Sequence, residues 1–162
     1  MTAETPTALS IVRRFAAPPE YVFAVWTDPA LAARWLFRGG PTSEAGSTEM
    51  DVRVGGAWAI TDRREGVDYT ASGEYLEVDP PRRLVFTFGM PQFSPNRDTI
   101  AVELAADGDG TVMTFTQAGV DITDELRQTP PDAESGSANG WGWMFLGLDA
   151  VLAESGAVTG VA

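Results

Sequence analysis

Apolar residues recur along this chain with two periods, and the change between them divides it. Near the C-terminus, Trp141, Met144, Phe145, Leu148, Val151 and Leu152 fall at i, i+3, i+4, i+7, i+10 and i+11. That spacing lines one face of an α-helix and fits no strand, so it predicts a long helix over roughly 135–154. Upstream the period is two. Met50, Val52 and Val54 alternate with Glu49, Asp51 and Arg53, Trp58 and Ile60 with Ala57 and Ala59, and Met113, Phe115 and Gln117 with Val112, Thr114 and Thr116. Alternation of this kind marks strands with one buried face.

Read in order, Leu9 to Phe15 is a first strand, stopped by Ala17-Pro18-Pro19-Glu20. Proline and an acidic residue suit the first turn of a helix. That helix carries Tyr21, Val22, Val25 and Trp26, with Phe23 on its flank. Asp28-Pro29 caps a second short helix with Leu31, Arg34, Trp35 and Leu36, and Arg38-Gly39-Gly40-Pro41 opens a loop. Strands follow: Thr48 to Val54, a turn at Gly55-Gly56, and a third strand through Trp58 and Ile60 that ends in a charged tip, Asp62 to Gly66. Next come Tyr69 to Val78, a turn at Asp79-Pro80-Pro81-Arg82, and Leu84 to Phe88, apolar on both faces as a mid-sheet strand is. A loop from Met90 to Asn96 holds Phe93, which reads as exposed; then Ile100, Val102 and Leu104 alternate up to the hairpin turn Asp107-Gly108-Asp109-Gly110. Residues 119–139 read as a long polar connection, with Asp132, Ser135 or Asn139 to cap the last helix.

Short turns between consecutive strands imply an antiparallel meander, with the first strand on an edge beside the seventh. The expected fold is α+β: a seven-stranded curved antiparallel sheet gripping one long C-terminal helix, with two short helices after the first strand. The domain spans 8–155, with tails at 1–7 and 156–162. A sheet under a single helix can leave a hollow, and hollows are where small molecules bind.

Composition narrows the chemistry. The 162 residues suit one domain with a real core, and no apolar run approaches a membrane span. The first residues lack a basic, apolar leader, so the expected compartment is the cytoplasm. There are no cysteines and no histidines. These two zeros exclude disulfides, thiol nucleophiles, histidine triads and the usual zinc sites, and no cofactor is expected. A net charge of −12 makes nucleic acid and anionic membranes poor partners.

The order of elements and several motifs together resemble the START-like (SRPBCC, helix-grip) superfamily, and within it the branch named for the activator of heat-shock-90 ATPase. The residues that carry the resemblance are Pro18-Pro19-Glu20-Tyr21-Val22-Phe23, Asp28-Pro29, Arg34-Trp35, Gly55-Gly56-Ala57-Trp58, Gly73-Glu74-Tyr75-Leu76-Glu77-Val78, Pro80-Pro81-Arg82-Arg83-Leu84, Gly110-Thr111 and Gly140-Trp141. Each has a structural use as a turn, a strand end or core volume. The resemblance implies a cavity between sheet and helix, in a superfamily that binds lipids, sterols, polyketides or hormones and includes aromatase/cyclase enzymes.

Trp58, Ile60, Ile100, Val102, Leu104, Met113 and Phe115 are expected to face the long helix, where Trp141 and Phe145 meet them. They serve either as plain core or as the apolar walls of a ligand cavity. Gln117 shares their phase and, if buried, needs a partner from protein, water or ligand. The candidate ligand-binding set is therefore Trp58, Ile60, Val102, Met113, Phe115, Gln117, Trp141 and Phe145; no catalytic and no metal residues are assigned. Asp62, Arg64, Glu74 and Glu77 are the charges nearest these walls, Tyr69 and Tyr75 offer hydroxyls, and Arg63-Arg64 suits an anion bidentately, although a hairpin tip is normally wet. Trp143 and Leu146 lie on the far side of the helix and ask for a cover, the 119–139 connection or a second copy in a homodimer. Three functions compete: binding of an apolar or aromatic small molecule, a cyclase-like enzyme using carboxylates or tyrosines, and a co-chaperone-like or regulatory interaction module. Without histidine the expectation is binding without chemistry.

Overall fold

The computed structural model describes residues 8–38 and 43–160; the tail read at 1–7 and the loop Gly39-Gly40-Pro41 lie outside them. Seven strands form one antiparallel sheet: β1 (Ala8–Phe15), β2 (Glu44–Met50), β3 (Ala57–Arg64), β4 (Val67–Asp79), β5 (Arg83–Phe88), β6 (Asp98–Asp107) and β7 (Gly110–Ala118). Their order is β1-β7-β6-β5-β4-β3-β2, the expected meander with β1 added beside β7 and the doubly apolar β5 at the centre. Helices α1 (Pro19–Thr27) and α2 (Pro29–Ala32) follow β1, and α4 (Gly136–Gly160) closes the chain. The Asp28 carboxylate accepts from the Ala30 amide at 2.9 Å, and the Ser135 hydroxyl accepts from the Ala138 amide at 3.1 Å, so α2 and α4 start on side-chain caps.

Several boundaries differ from the sequence reading, each for a local reason. The second strand lies at 44–50, not at Thr48 to Val54, because 51–56 fold into a compact turn in which the Asp51 amide donates to the Ala57 carbonyl and the Gly56 amide to the Arg53 carbonyl. Strand β3 runs on through Asp62 to Arg64, and the hairpin tip is only Glu65-Gly66. Both tip residues take positive φ, 54° and 80°, the left-handed pair that a two-residue hairpin requires and that glycine adopts freely. On α1, Phe23 points inward with Val22, Val25 and Trp26, while Tyr21 faces out. The 119–139 connection contains a helix, α3 (Val120–Gln128), whose single fully buried side chain, Ile122, gave too weak an apolar stripe to register. The last helix continues past 154 to Gly160.

The concave face of the sheet meets α1, α2 and α4 over one core. Aromatic rings fill its middle: Trp26 meets Trp35 edge-on at 4.7 Å, Phe115 and Trp141 lie 4.5 Å apart, and Phe145 sits 5.4 Å from Phe115 and 5.8 Å from Trp141. These separations are those of favourable offset and edge-to-face pairs. The hollow expected beneath the helix is therefore largely occupied by the chain's own side chains.

Candidate functional site

Space opens at one end of the grip, where the N-terminal turns of α4 stand over the ends of β5 and β3. A cavity of about 300 Å³ lies there, walled by Phe37, Phe88, Met90, Trp141, Trp143 and Met144, with Arg38, Arg64, Ser137 and Gly140 completing it. A second space of about 260 Å³ shares Phe88, Met90 and Ser137 as walls and extends toward Phe93, Asp98, Gln117 and Glu125.

The walls are held from several directions. Phe37 follows α2 with a positive φ of 56°, a conformation a bulky residue adopts only when its surroundings impose it. Its ring stacks between Trp58 at 5.2 Å and Phe88 at 4.9 Å, and its amide points at the Met144 sulfur at 3.0 Å. Trp141 is fixed by polar contacts as well as packing. Its indole N–H donates to Gln117 Oε1 at 2.9 Å, and Gln117 Nε2 donates to Asp98 Oδ2 at 2.9 Å. Asp98 in turn accepts from the Ile122 amide at 3.0 Å and the Asp121 amide at 3.3 Å, so its carboxylate closes the positive end of α3. Gly119 makes this approach possible, since a Cβ there would lie 2.1 Å from Asp98 Oδ1. The partner that Gln117 needed is thus protein on both ends of its amide.

Asp62, read as a wet hairpin residue, is 1% exposed. Arg64 Nε donates to its Oδ2 at 2.7 Å, and Arg38 Nε lies 3.6 Å from its Oδ1. Burying a carboxylate is costly unless it is paired, and these two guanidinium groups supply the pairing. The Arg64 guanidinium also lies over the Tyr69 ring at 4.9 Å, and Phe93, itself 66% exposed, stacks on the same ring at 5.7 Å. Glu125 accepts from the Ser137 hydroxyl at 2.8 Å and amide at 3.0 Å, tying α3 to the first turn of α4.

The eight residues singled out from sequence separate into three groups. Trp141 lines the larger cavity and Gln117 the smaller. Trp58 borders a void of only about 10 Å³, and its indole N–H donates to the Thr87 carbonyl at 3.1 Å. Ile60, Val102, Met113, Phe115 and Phe145 are buried in the packed core and are absent from the walls of these three spaces. The sequence reading missed Phe37, Arg38, Phe88, Met90 and Ser137, which sit at element ends and in loops, and Gly140 and Met144 within the first turns of α4. Trp143 and Leu146 remain 44% and 58% exposed; the 119–139 connection does not cover them, and Trp143 instead forms one wall of the larger cavity.

The chemistry available is narrow. Among the described residues no group of three or more histidine, cysteine, aspartate or glutamate side chains is placed to hold a metal ion. Burial raises the Tyr75 phenol well above its ordinary value, with Asp51 adding to the effect, so that hydroxyl stays protonated near neutral pH and is no base. Among the described residues no helix is long and apolar enough to cross a membrane.

The antiparallel sheet, the gripped C-terminal helix and the opening at the end of that helix define an α+β helix-grip domain of the START-like class. More narrowly, the chain belongs to the family described as "Activator of Hsp90 ATPase homolog 1-like protein", whose profile matches residues 16–153. Among solved structures it is similar to a protein from Chromobacterium violaceum, with 25% identity, a TM-score of 0.74 and coverage of 90% of this chain and 96% of that one. It is similar also to a protein from Rhodobacter sphaeroides, at 23% identity, a TM-score of 0.77 and coverage of 91% and 93%. The AHSA1-like protein from Aeromonas hydrophila aligns at 21% identity, a TM-score of 0.71 and coverage of 92% and 94%. Among curated proteins none matches.

Proposed function

We propose that this chain binds an aromatic small molecule without transforming it, in the cavity at the open end of the grip. One observation carries the reading: about 300 Å³ of space walled by Phe37, Phe88, Trp141, Trp143 and two methionines. A few hundred cubic ångströms lined by rings is the usual form of a small-molecule pocket. Methionine walls adapt to irregular shapes because the thioether chain is flexible and polarisable. The scarcity of proton-transfer groups supports binding over catalysis. The chain has no histidine, and the carboxylates around the two spaces are already engaged: Asp62 with Arg64, Asp98 with Gln117 and α3, Glu125 with Ser137.

The test uses Gly140, which lines the cavity inside α4 and has no atom within 4 Å of a Cβ built on it. Gly140→Leu therefore enters at the cavity wall with no clash at its Cβ, and replacing a mid-helix glycine gains roughly 0.5–1 kcal/mol of helix stability. In calorimetric titrations with flavonoids, polyaromatics and fatty acids, the wild type is expected to bind an aromatic member saturably. Gly140→Leu is expected to weaken that binding at least about tenfold while unfolding at or above the wild-type temperature. Unchanged affinity in a folded Gly140→Leu places the ligand elsewhere, and a wild type that binds none of the panel removes the proposal.

A further inference from the structure

We propose that the ligand of this cavity is an aromatic carboxylate, received by Arg38 and Arg64 side by side on the Asp62 carboxylate. The inference rests on the binding reading above and names the chemical class that the site selects. Arg38 and Arg64 are the only charged residues among the described walls of the larger cavity, and the remaining walls are chiefly rings and thioethers. A site of that composition matches an apolar frame bearing one anionic group.

The charge balance at this wall is the reverse of that around Arg83. On the outer face of the sheet, Arg83 contacts two carboxylates, Glu77 and Glu103, each at 2.6 Å. At the cavity, two guanidinium groups share the one carboxylate of Asp62, at 2.7 and 3.6 Å. The cluster carries a net positive charge on a chain whose total is −12. A ligand carboxylate restores neutrality in a partly enclosed place where solvent screens charge less than at the open surface.

The guanidinium groups are also pre-positioned. Arg64 is held at Nε by Asp62 and from below by the Tyr69 ring, and Arg38 donates from Nη2 to the Ser43 carbonyl at 2.8 Å. Fixing the receiving groups before the ligand arrives reduces the ordering cost of binding. Each guanidinium carries five N–H donors in a planar fork that suits a carboxylate. The adjoining smaller space is bordered by Asp98, Asp121 and Glu125, which repel an anion. The carboxylate therefore points to Arg38 and Arg64, and the rings of the ligand lie against Trp141 and Trp143.

The probes are 2-naphthoate and its neutral amide, 2-naphthamide, titrated calorimetrically into wild type, Arg38→Gln and Arg64→Gln at pH 7. Wild type is expected to bind the acid at least about tenfold more tightly than the amide, with the gap narrowing as sodium chloride rises. Each glutamine variant is expected to shrink the gap while holding amide affinity within about twofold, which also certifies that the variant is folded. Equal affinity for acid and amide in wild type, or a preference that survives both substitutions, overturns the anion assignment and leaves the cavity reading in place. Failure of wild type to bind either probe is a failure of the cavity reading itself, and the inference falls with it.

Discussion

Phe145→Ala is expected to lower the stability of the fold by roughly 3–5 kcal/mol, the usual cost of deleting a buried aromatic side chain. Phe145 has no exposed surface and lies 5.4–6.3 Å from the rings of Phe115, Trp141, Trp26 and Trp35. It joins α4 to α1, to the turn after α2 and to β7 at once, so no single neighbour can move in to refill the space. Asp149→Ala, on the outer side of the same helix, removes only a 3.6 Å pair with Arg13 at the surface and is expected to change stability by under about 1 kcal/mol. Urea unfolding followed by fluorescence separates the two. Similar midpoints for both variants mean that α4 is peripheral to the core.

The second large effect is expected at Asp98. Asp98→Ala deletes the acceptor for two α3 amides and for Gln117 Nε2, all three of them drawn from buried or half-buried positions. Loss of a helix cap costs about 0.5–2 kcal/mol and an orphaned buried donor about 1–3, so a total on the order of 2–4 kcal/mol follows. Asp98→Asn keeps an acceptor oxygen and is expected to lose markedly less. Glu74→Ala, at an exposed strand position, sets the surface baseline near zero. An Asp98→Ala midpoint at that baseline contradicts the view that one carboxylate holds Trp141, Gln117 and α3 together.

Much of this arrangement is legible in the sequence, and the parts that are not have physical reasons. The two-residue turn at Gly108-Asp109 pairs Asp107 with Gly110 and thereby sets Ile100 opposite Gln117. Counting back along that register puts Asp98 beside Gln117 on the same face, so the polar link could have been found from the turn alone. Asp62 and Arg64 likewise continue the phase of Trp58 and Ile60 along β3. They read as a wet tip because the run of charges from Asp62 to Gly66 outweighed their phase, and the true turn is only Glu65-Gly66. Cavity volume is different in kind. Side-chain phase says which residues face the helix but not how closely the helix approaches. Here Trp26, Phe115, Trp141 and Phe145 fill the centre, and the space is displaced to the end where Phe37, Arg38 and Met90 arrive from irregular segments. Nothing periodic marks residues of that sort.

The family relation accounts for the fold without choosing a ligand, because the motifs that carry the resemblance in the sequence are turns and core residues. The site itself rests on the strained Phe37 after α2, on Gly140 in α4, and on the two arginines that pair with Asp62.

The central claim, a filled interior with the ligand at the open end, is tested most directly by the five tryptophans. Each indole N–H gives its own resonance, and the five are distributed across the question. Trp141 and Trp143 line the open cavity, whereas Trp26 and Trp35 lie fully buried in the packed centre. On titration with a bound aromatic carboxylate, the Trp143 and Trp141 indole signals are expected to shift and saturate together, while those of Trp26 and Trp35 stay in place. Shifts concentrated at Trp26 and Trp35, with Trp143 unmoved, contradict the account and put the ligand beneath the helix.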